Sequence, residues 1–119
     1  MQPPEYTDGC LELFDIVTDE TNDFPTEYLK DRNMKIWYKE ISVFDHLKFE
    51  LGKDNIEVTL KIRIPKYKGI NSKCICKIDG EYHSIFNATH VRNKDGFEET
   101  EITLKKPEKT YEVMKDDQE

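Results

Sequence analysis

Hydrophobic and polar residues alternate along much of the chain, which is the pattern of β-strands with one buried and one solvated face. The alternation is clearest from Ile56 to Ile64 and recurs in four further segments: Leu11–Val17, Met34–Tyr38, Cys74–Ile78 and Thr100–Leu104. Six or seven short strands with local connections are typical of an antiparallel barrel or sandwich. We predict a mainly β protein, specifically a small antiparallel β-barrel of six to seven strands.

Turn residues predict how neighbouring strands connect. Asp79-Gly80 is a strong type I′ hairpin signal, because both central positions of that turn need positive φ. The segment Asn93–Gly96 predicts a second hairpin. In the first strand the apolar residues change parity between Leu13 and Phe14, which predicts a β-bulge. The residues expected on the inner face of the sheet are Ile56, Val58, Leu60, Ile62, Cys74, Cys76, Ile78, Ile102 and Leu104.

One helix is predicted between the strands. Ser42 and Asp45 fit a capping box, in which each side chain accepts a hydrogen bond from a free backbone N–H. Apolar residues follow at helical spacing up to Leu51, and Gly52 can end the helix in the left-handed conformation. The pattern predicts about two helical turns over residues 43–51.

Charge divides the chain into three parts. Residues 1–33 hold 9 acidic and 2 basic side chains (net −7), residues 34–106 hold 11 and 14 (net +3), and residues 107–119 hold 5 and 2 (net −3). We predict a single barrel domain over 10–106 with a long acidic loop at 18–33, a flexible N-terminus at 1–9 and a disordered tail at 107–119. The overall net charge of −7 disfavours ordinary nucleic-acid binding, which depends on phosphate neutralisation.

The sequence contains neither a membrane-spanning nor a catalytic pattern. No apolar segment approaches the ~20 residues that a membrane-spanning helix needs, and the first residues lack a secretory signal, so we expect a soluble protein inside a cell. The serine, histidine and glycine positions match no nucleophile elbow, phosphate-binding loop or metalloprotease motif. We therefore predict no enzymatic activity and no cofactor.

The cysteines are interpreted as structural. Cys74 and Cys76 share one face of a strand and are predicted to be small core residues. The alternative is a zinc site with His83 and His90, but these four residues lack the paired spacing of structural zinc ligands. No metal site is predicted.

Basic residues concentrate on what the sequence predicts to be one hairpin. They form either a contact patch for a partner, with an acidic protein surface favoured over nucleic acid, or the solvated face of an exposed hairpin. The residues of this predicted patch are Lys61, Arg63, Lys66, Tyr67, Lys68, Lys73 and Lys77.

The order of elements resembles a known family. A strand ending in Ile36-Trp37-Tyr38 precedes the predicted helix, a strand ending in Lys61-Ile62-Arg63-Ile64 follows it, and the hairpin Ile78-Asp79-Gly80-Glu81-Tyr82 comes before Glu101-Ile102-Thr103-Leu104. Over about residues 10–106 this order resembles the head–tail joining proteins of tailed bacteriophages, also called head-closure or stopper proteins. Tyr82 comes one residue earlier than in the family pattern, which predicts a bulge near His83.

The resemblance implies a structural connector in the virion, assembled in the host cytoplasm. Its partners would be further copies of itself in a ring (a hexamer or dodecamer), a portal-side adaptor, a tail-completion protein, and double-stranded DNA that passes through without sequence-specific binding. The alternative function is a small β-barrel binding module, similar to an oligonucleotide-binding or SH3-like barrel, with a protein or nucleic-acid ligand.

The resemblance also implies a channel-gating loop at Ser42–Asn55, because in several family members a loop at this position projects into the channel. The alternative is a purely structural role, in which the helix plugs one end of the barrel. The residues of this hypothetical loop are Ser42, Phe44, Asp45, His46, Lys48, Phe49, Glu50 and Lys53.

Overall fold

A computed structural model of the chain describes residues 4–20, 26–41, 57–107 and 109–113. These residues form seven strands: β1 (Gly9–Asp19), β2 (Thr26–Ile41), β3 (Val58–Pro65), β4 (Cys74–Ile78), β5 (Glu81–Arg92), β6 (Glu98–Lys105) and β7 (Glu112–Val113). The predicted helix at 43–51 lies outside the described residues. Among the residues that the structure describes, no helix is long and apolar enough to span a membrane.

Six of the strands form one sheet that closes in a ring. Their order is β1-β4-β5-β6-β3-β2, and β2 pairs again with β1, so that every neighbouring pair in the ring is antiparallel. The short strand β7 adds to β2 in parallel. The prediction of a mainly β protein with six to seven strands is confirmed.

The interior of the closed sheet holds the core, to which all six strands contribute. The buried apolar residues of this core are Leu11, Leu13, Tyr38, Ile62, Ile64, Ile70, Cys74, Cys76, Ile78, Ile85, Ile102 and Leu104. Six of the nine predicted inner-face residues are among them. Leu60 is half-buried against the core, and Val58 is half-buried beside an irregularity in the β3–β6 ladder. The ninth, Ile56, lies outside the described residues.

The predicted hairpins and the first predicted bulge are present. Asp79 and Gly80 have φ values of 51° and 81°, as a type I′ turn requires, and residues 93–97 connect β5 to β6. The β1–β2 ladder is irregular between Glu12 and Phe14, but the extra residues lie on β2, where Asn33 has a φ of 57°. The bulge expected near His83 is wrong in position, because Cys76 pairs regularly with His83 and the irregularity comes between Ile85 and Asn87.

Much of the predicted acidic loop at 18–33 is strand. The β1–β2 ladder continues to the pair Asp19 and Thr26, so residues 18–19 and 26–33 belong to β1 and β2. This part of β2 contains one buried residue, Leu29, and therefore shows no sustained alternation in the sequence. Backbone pairing with β1, rather than a buried face, defines this strand.

The terminal segments also contact the sheet. Glu112 and Val113, in the segment expected to be a disordered tail, pair with Tyr28 and Leu29. Asp8, in the segment expected to be a flexible N-terminus, donates its backbone N–H to the Tyr38 carbonyl and accepts the N–H of Glu40 on its carboxylate.

The β1–β2 hairpin projects from the ring. β1 pairs with β4 only from Glu12 to Asp15, whereas its pairing with β2 extends to Asp19. The molecule is accordingly elongated, with extents of 54 × 34 × 22 Å. A second, smaller apolar cluster lies at the base of this hairpin and consists of Phe14, Leu29 and Ile75, with Ile16, Tyr82 and Tyr111 against it.

Candidate functional site: a cation-lined cavity

A buried carboxylate organises one surface of the molecule. Glu99 on β6 has no exposed surface. Its carboxylate accepts hydrogen bonds from the hydroxyl of Tyr6 at 2.9 Å and from the amide of Asn93 at 3.3 Å, and it forms an ion pair with Lys39 at 3.2 Å. Arg63 approaches the same carboxylate at 3.8 Å. A buried charge is tolerated only with such partners, and here they come from the N-terminal segment, β2, β3 and the β5–β6 turn.

The Tyr6 hydroxyl is held in its neutral, donating form. Burial, followed by the hydrogen bond to Glu99 and the charge of that carboxylate, raises the pKa of Tyr6 far above its usual range. A tyrosinate beside Glu99 would place two negative charges together, so the neutral phenol is the form that stabilises the cluster.

A cavity of about 540 Å³ lies beside this cluster, and we call it the cation-lined cavity. Four of its lining side chains are cationic and one is a carboxylate. The lining residues are Pro4, Lys39, Arg63, Arg92, Asn93, Lys94 and Asp95. The β5–β6 turn contributes three of them and the end of β5 a fourth, Arg92. The Asn93 side chain fixes this turn by accepting the backbone N–H groups of Asp95 and Phe97.

The cations of the cavity are only partly neutralised by neighbouring acids. Arg92 pairs with Glu98 at 3.2 Å and Arg63 with Glu101 at 3.4 Å. The Nε of Arg63 is buried and has no hydrogen-bond partner among the described residues. Arg92 and Lys94 are exposed, so the cavity presents cationic groups to which an anionic group can bind.

The predicted basic patch does not form one surface. The strands that carry it are not a hairpin, because β3 pairs with β6 and β2, whereas β4 pairs with β1 and β5. Lys61, Arg63 and Lys66 lie on the β3 side and pair with Glu101, Glu99 and Glu98 of β6. Period-two alternation specifies which face of a strand is buried, but not which strand lies beside it.

The other patch residues lie elsewhere. Lys77 on β4 stands over the ring of Tyr82, with its Nζ 5.4 Å from the ring centroid. Lys68 and Lys73 are exposed in the β3–β4 connection. Tyr67 is half-buried and accepts a hydrogen bond from Arg32 at 2.7 Å. Of the seven predicted residues, only Arg63 lines the cation-lined cavity.

Arg32 forms a second polar cluster, which ties the β3–β4 connection to the ring. Its guanidinium makes a two-pronged contact with the carboxylate of Asp15 and donates to the carbonyl of Gly69 at 2.8 Å as well as to Tyr67. The hydrogen bond from Arg32 holds the pKa of Asp15 below its usual range. The thiol of Cys74 lies 3.4 Å from the same guanidinium, and burial raises its pKa.

In the described part of the chain, Cys74, Cys76, His83 and His90 are not brought together as metal ligands. Among the described residues, no group of three or more His, Cys, Asp or Glu side chains could hold a metal ion. Cys76 is buried, which raises its pKa to about 12, and it faces His83 across the β4–β5 ladder. His83 bonds to Thr59 at 2.8 Å and His90 to Thr100 at 2.9 Å.

The hypothetical channel-gating loop lies outside the described residues. In the described part of the chain, Lys39, Arg92, Lys94 and Glu99 belong to a site that the sequence does not predict. The residues Asn93–Gly96 are a hairpin signal alone, and the alternation of β6 places Glu99 on the outer face, where a carboxylate is unremarkable. No family model matches the chain, and no curated protein matches its sequence.

Proposed function

We propose that the protein is a structural connector of a tailed-bacteriophage virion. In this proposal copies of the chain form a ring that joins the portal-side adaptor to the tail-completion protein and helps to close the DNA channel. The closed six-stranded sheet would be the small β-barrel of the head–tail joining family. Because its interior is filled by side chains, DNA would pass through the ring of subunits and not through a single barrel.

The observation that carries this proposal is the projecting β1–β2 hairpin. A hairpin that extends beyond the body of a subunit can reach a neighbouring subunit, and its strand edges are templates for pairing with another chain. Among the described residues, β7 is the only strand that adds to the projecting part of β2. The net charge of −7 also supports a DNA conduit, because like charge keeps the polymer from adhering as it passes.

The test is to mix the purified protein with portal–adaptor complexes and to follow particle size by sedimentation and electron microscopy. The proposal predicts rings that dock on the portal–adaptor complex, at one position on its axis. A protein that stays separate from these complexes at every concentration, while remaining folded, would overturn the connector.

A second candidate function is a binding module, and the cation-lined cavity favours it. Four cationic side chains around a cavity of about 540 Å³ suit an anionic ligand, including a nucleic acid. Retention on single-stranded DNA at physiological salt would support the module, and loss of that retention in a Lys94→Glu variant would locate the ligand in this cavity.

A further inference from the structure

One edge of β5 has no strand beside it over more than half of its length. β4 pairs with β5 only over residues 81–84, whereas β6 pairs with it as far as Arg92. Among the residues that the structure describes, no strand pairs with the β4 side of residues 86–92. We call this stretch of backbone the free edge. Four of its seven residues are exposed, so it is open to solvent.

The backbone of the free edge presents hydrogen-bonding groups at alternate residues. The N–H of Asn93 donates to the carbonyl of Phe97, which fixes the phase of the bonds between β5 and β6. Bonded pairs alternate with non-bonded pairs along an antiparallel ladder, and the pairing with β6 is regular over residues 87–92. The N–H and C=O groups that point away from β6 are therefore those of Ala88, His90 and Arg92.

The free edge lacks the charges that protect strand edges in soluble proteins. Residues 82–91 contain no Asp, Glu, Lys or Arg, and no other such run in the sequence exceeds four residues. Residues 30–38 of β2, which no described strand covers on the side away from β1, include Lys30, Asp31 and Lys35. Charged side chains along an edge oppose pairing with another chain, so an edge without them is suited to strand addition.

We propose that the free edge of β5 pairs in antiparallel orientation with the free edge of a second copy. The midpoint of residues 86–92 is Thr89, so pairing over the whole edge places Thr89 opposite Thr89 of the second copy. In this register Arg92 faces Phe86, and no two like charges are opposite each other. Each copy has a net charge of −7, and a contact along an edge without acids avoids placing carboxylates against each other.

The contact goes beyond the proposed function and does not depend on it. It uses the same surface on both copies, so it joins two copies about a two-fold axis and does not by itself build a ring. A strand pair of seven residues is a small interface, so the dimer is expected to be weak and to form as the protein concentration rises.

A charge at the two-fold centre tests the contact. Thr89→Lys and Thr89→Glu each place two like charges opposite each other, at a residue that is exposed in the single copy. Thr110→Lys is the control, since it makes the same change at an exposed threonine outside the strands. Sedimentation equilibrium over a wide range of protein concentration measures self-association, and a thermal melt checks that each variant is folded.

Wild-type protein should show a monomer–dimer equilibrium, and the amides of residues 88, 90 and 92 should gain protection from hydrogen exchange as its concentration rises. Each Thr89 variant should dimerise about tenfold more weakly or worse, whereas Thr110→Lys should match wild type. An equimolar mixture of Thr89→Lys and Thr89→Glu should recover dimerisation, because opposite charges then face each other.

Three results would overturn the contact. The first is wild-type protein that stays monomeric at every concentration, and the second is a dimer that neither Thr89 variant weakens relative to the control. The third is a mixture of the two variants that associates no better than each alone, which would exclude pairing centred on Thr89. None of these results bears on the connector, whose test is docking on portal–adaptor complexes.

Discussion

The hydroxyl of Tyr6 donates a 2.9 Å hydrogen bond to the carboxylate of Glu99, a residue 93 positions later in the chain. This bond fastens the N-terminal segment to the outer face of β6 and closes one side of a buried ionic cluster. Lys39 extends the cluster, since its Nζ lies 5.7 Å from the centroid of the Tyr6 ring and 3.2 Å from Glu99. The segment before β1 is therefore part of the wall beside the cation-lined cavity.

Removing the Tyr6 hydroxyl should destabilise the fold. Tyr6→Phe keeps the ring but deletes a hydrogen bond to a buried charged group, a change that costs roughly 1.5–3 kcal/mol. Urea unfolding measures the loss, and Tyr28→Phe, in a half-buried tyrosine of β2 away from Glu99, should change stability by less than about 0.5 kcal/mol. Equal effects of the two substitutions would show that the bond to Glu99 does not stabilise the fold.

The stability lost on truncating a core leucine should follow the burial of its side chain and not its place in the sequence pattern. Leu104 is completely buried, whereas Leu60, on the same predicted inner face, is half-buried beside an irregularity in the ladder. Leu104→Ala should therefore cost about 2–5 kcal/mol through a cavity, and Leu60→Ala should cost clearly less. Chemical denaturation of both variants makes the comparison, and a larger loss for Leu60→Ala would contradict this assignment of the core.

Leu60 and Leu104 illustrate what the sequence can predict: the buried face of a strand, but not how deeply each residue on that face is buried. Alternation in β3 and β6 identified the buried face because each strand has one solvated side, and Asp79-Gly80 identified its turn because of the backbone geometry. Neither signal specifies which strands are neighbours. The prediction of a basic hairpin was wrong for that reason, since β3 and β4 lie on different parts of the ring.

The candidate site could not be predicted from the sequence for a related reason. Its cations come from β2, β3, the end of β5 and the β5–β6 turn, and these distant parts of the sequence meet because β3 lies between β2 and β6. Each of these residues alone is an ordinary charged residue of a strand or turn. The one local signal is the pair Glu99 and Glu101, two carboxylates on the face of β6 that Arg63 contacts.

His83 should make stability depend on pH between neutral and mildly acidic conditions. Burial lowers the pKa of His83 below its usual 6.5 in the folded state, so the unfolded chain binds the proton more readily. The contribution of neutral His83 is present above the unfolded pKa and is lost as the pH falls below it. The free energy of unfolding, measured by urea at pH 7.5 and 5.5, should fall less in His83→Gln than in wild type. An identical decrease in both proteins would mean that His83 titrates alike in the folded and unfolded chains.

The Arg32 cluster should hold the β3–β4 connection in place. The guanidinium contacts Asp15, Tyr67 and the Gly69 carbonyl at once, a fork geometry that a lysine cannot reproduce. Arg32→Lys keeps the charge but loses two or more charge-assisted hydrogen bonds, so it should lower the free energy of unfolding by about 2 kcal/mol. It should also speed hydrogen exchange of the backbone amides in residues 66–73. Arg92→Lys is the matched control, since Arg92 is exposed and pairs only at the surface with Glu98, where a pair contributes about 0–1 kcal/mol. If exchange in residues 66–73 is the same in both variants, the connection is held by the burial of Ile70 and not by Arg32.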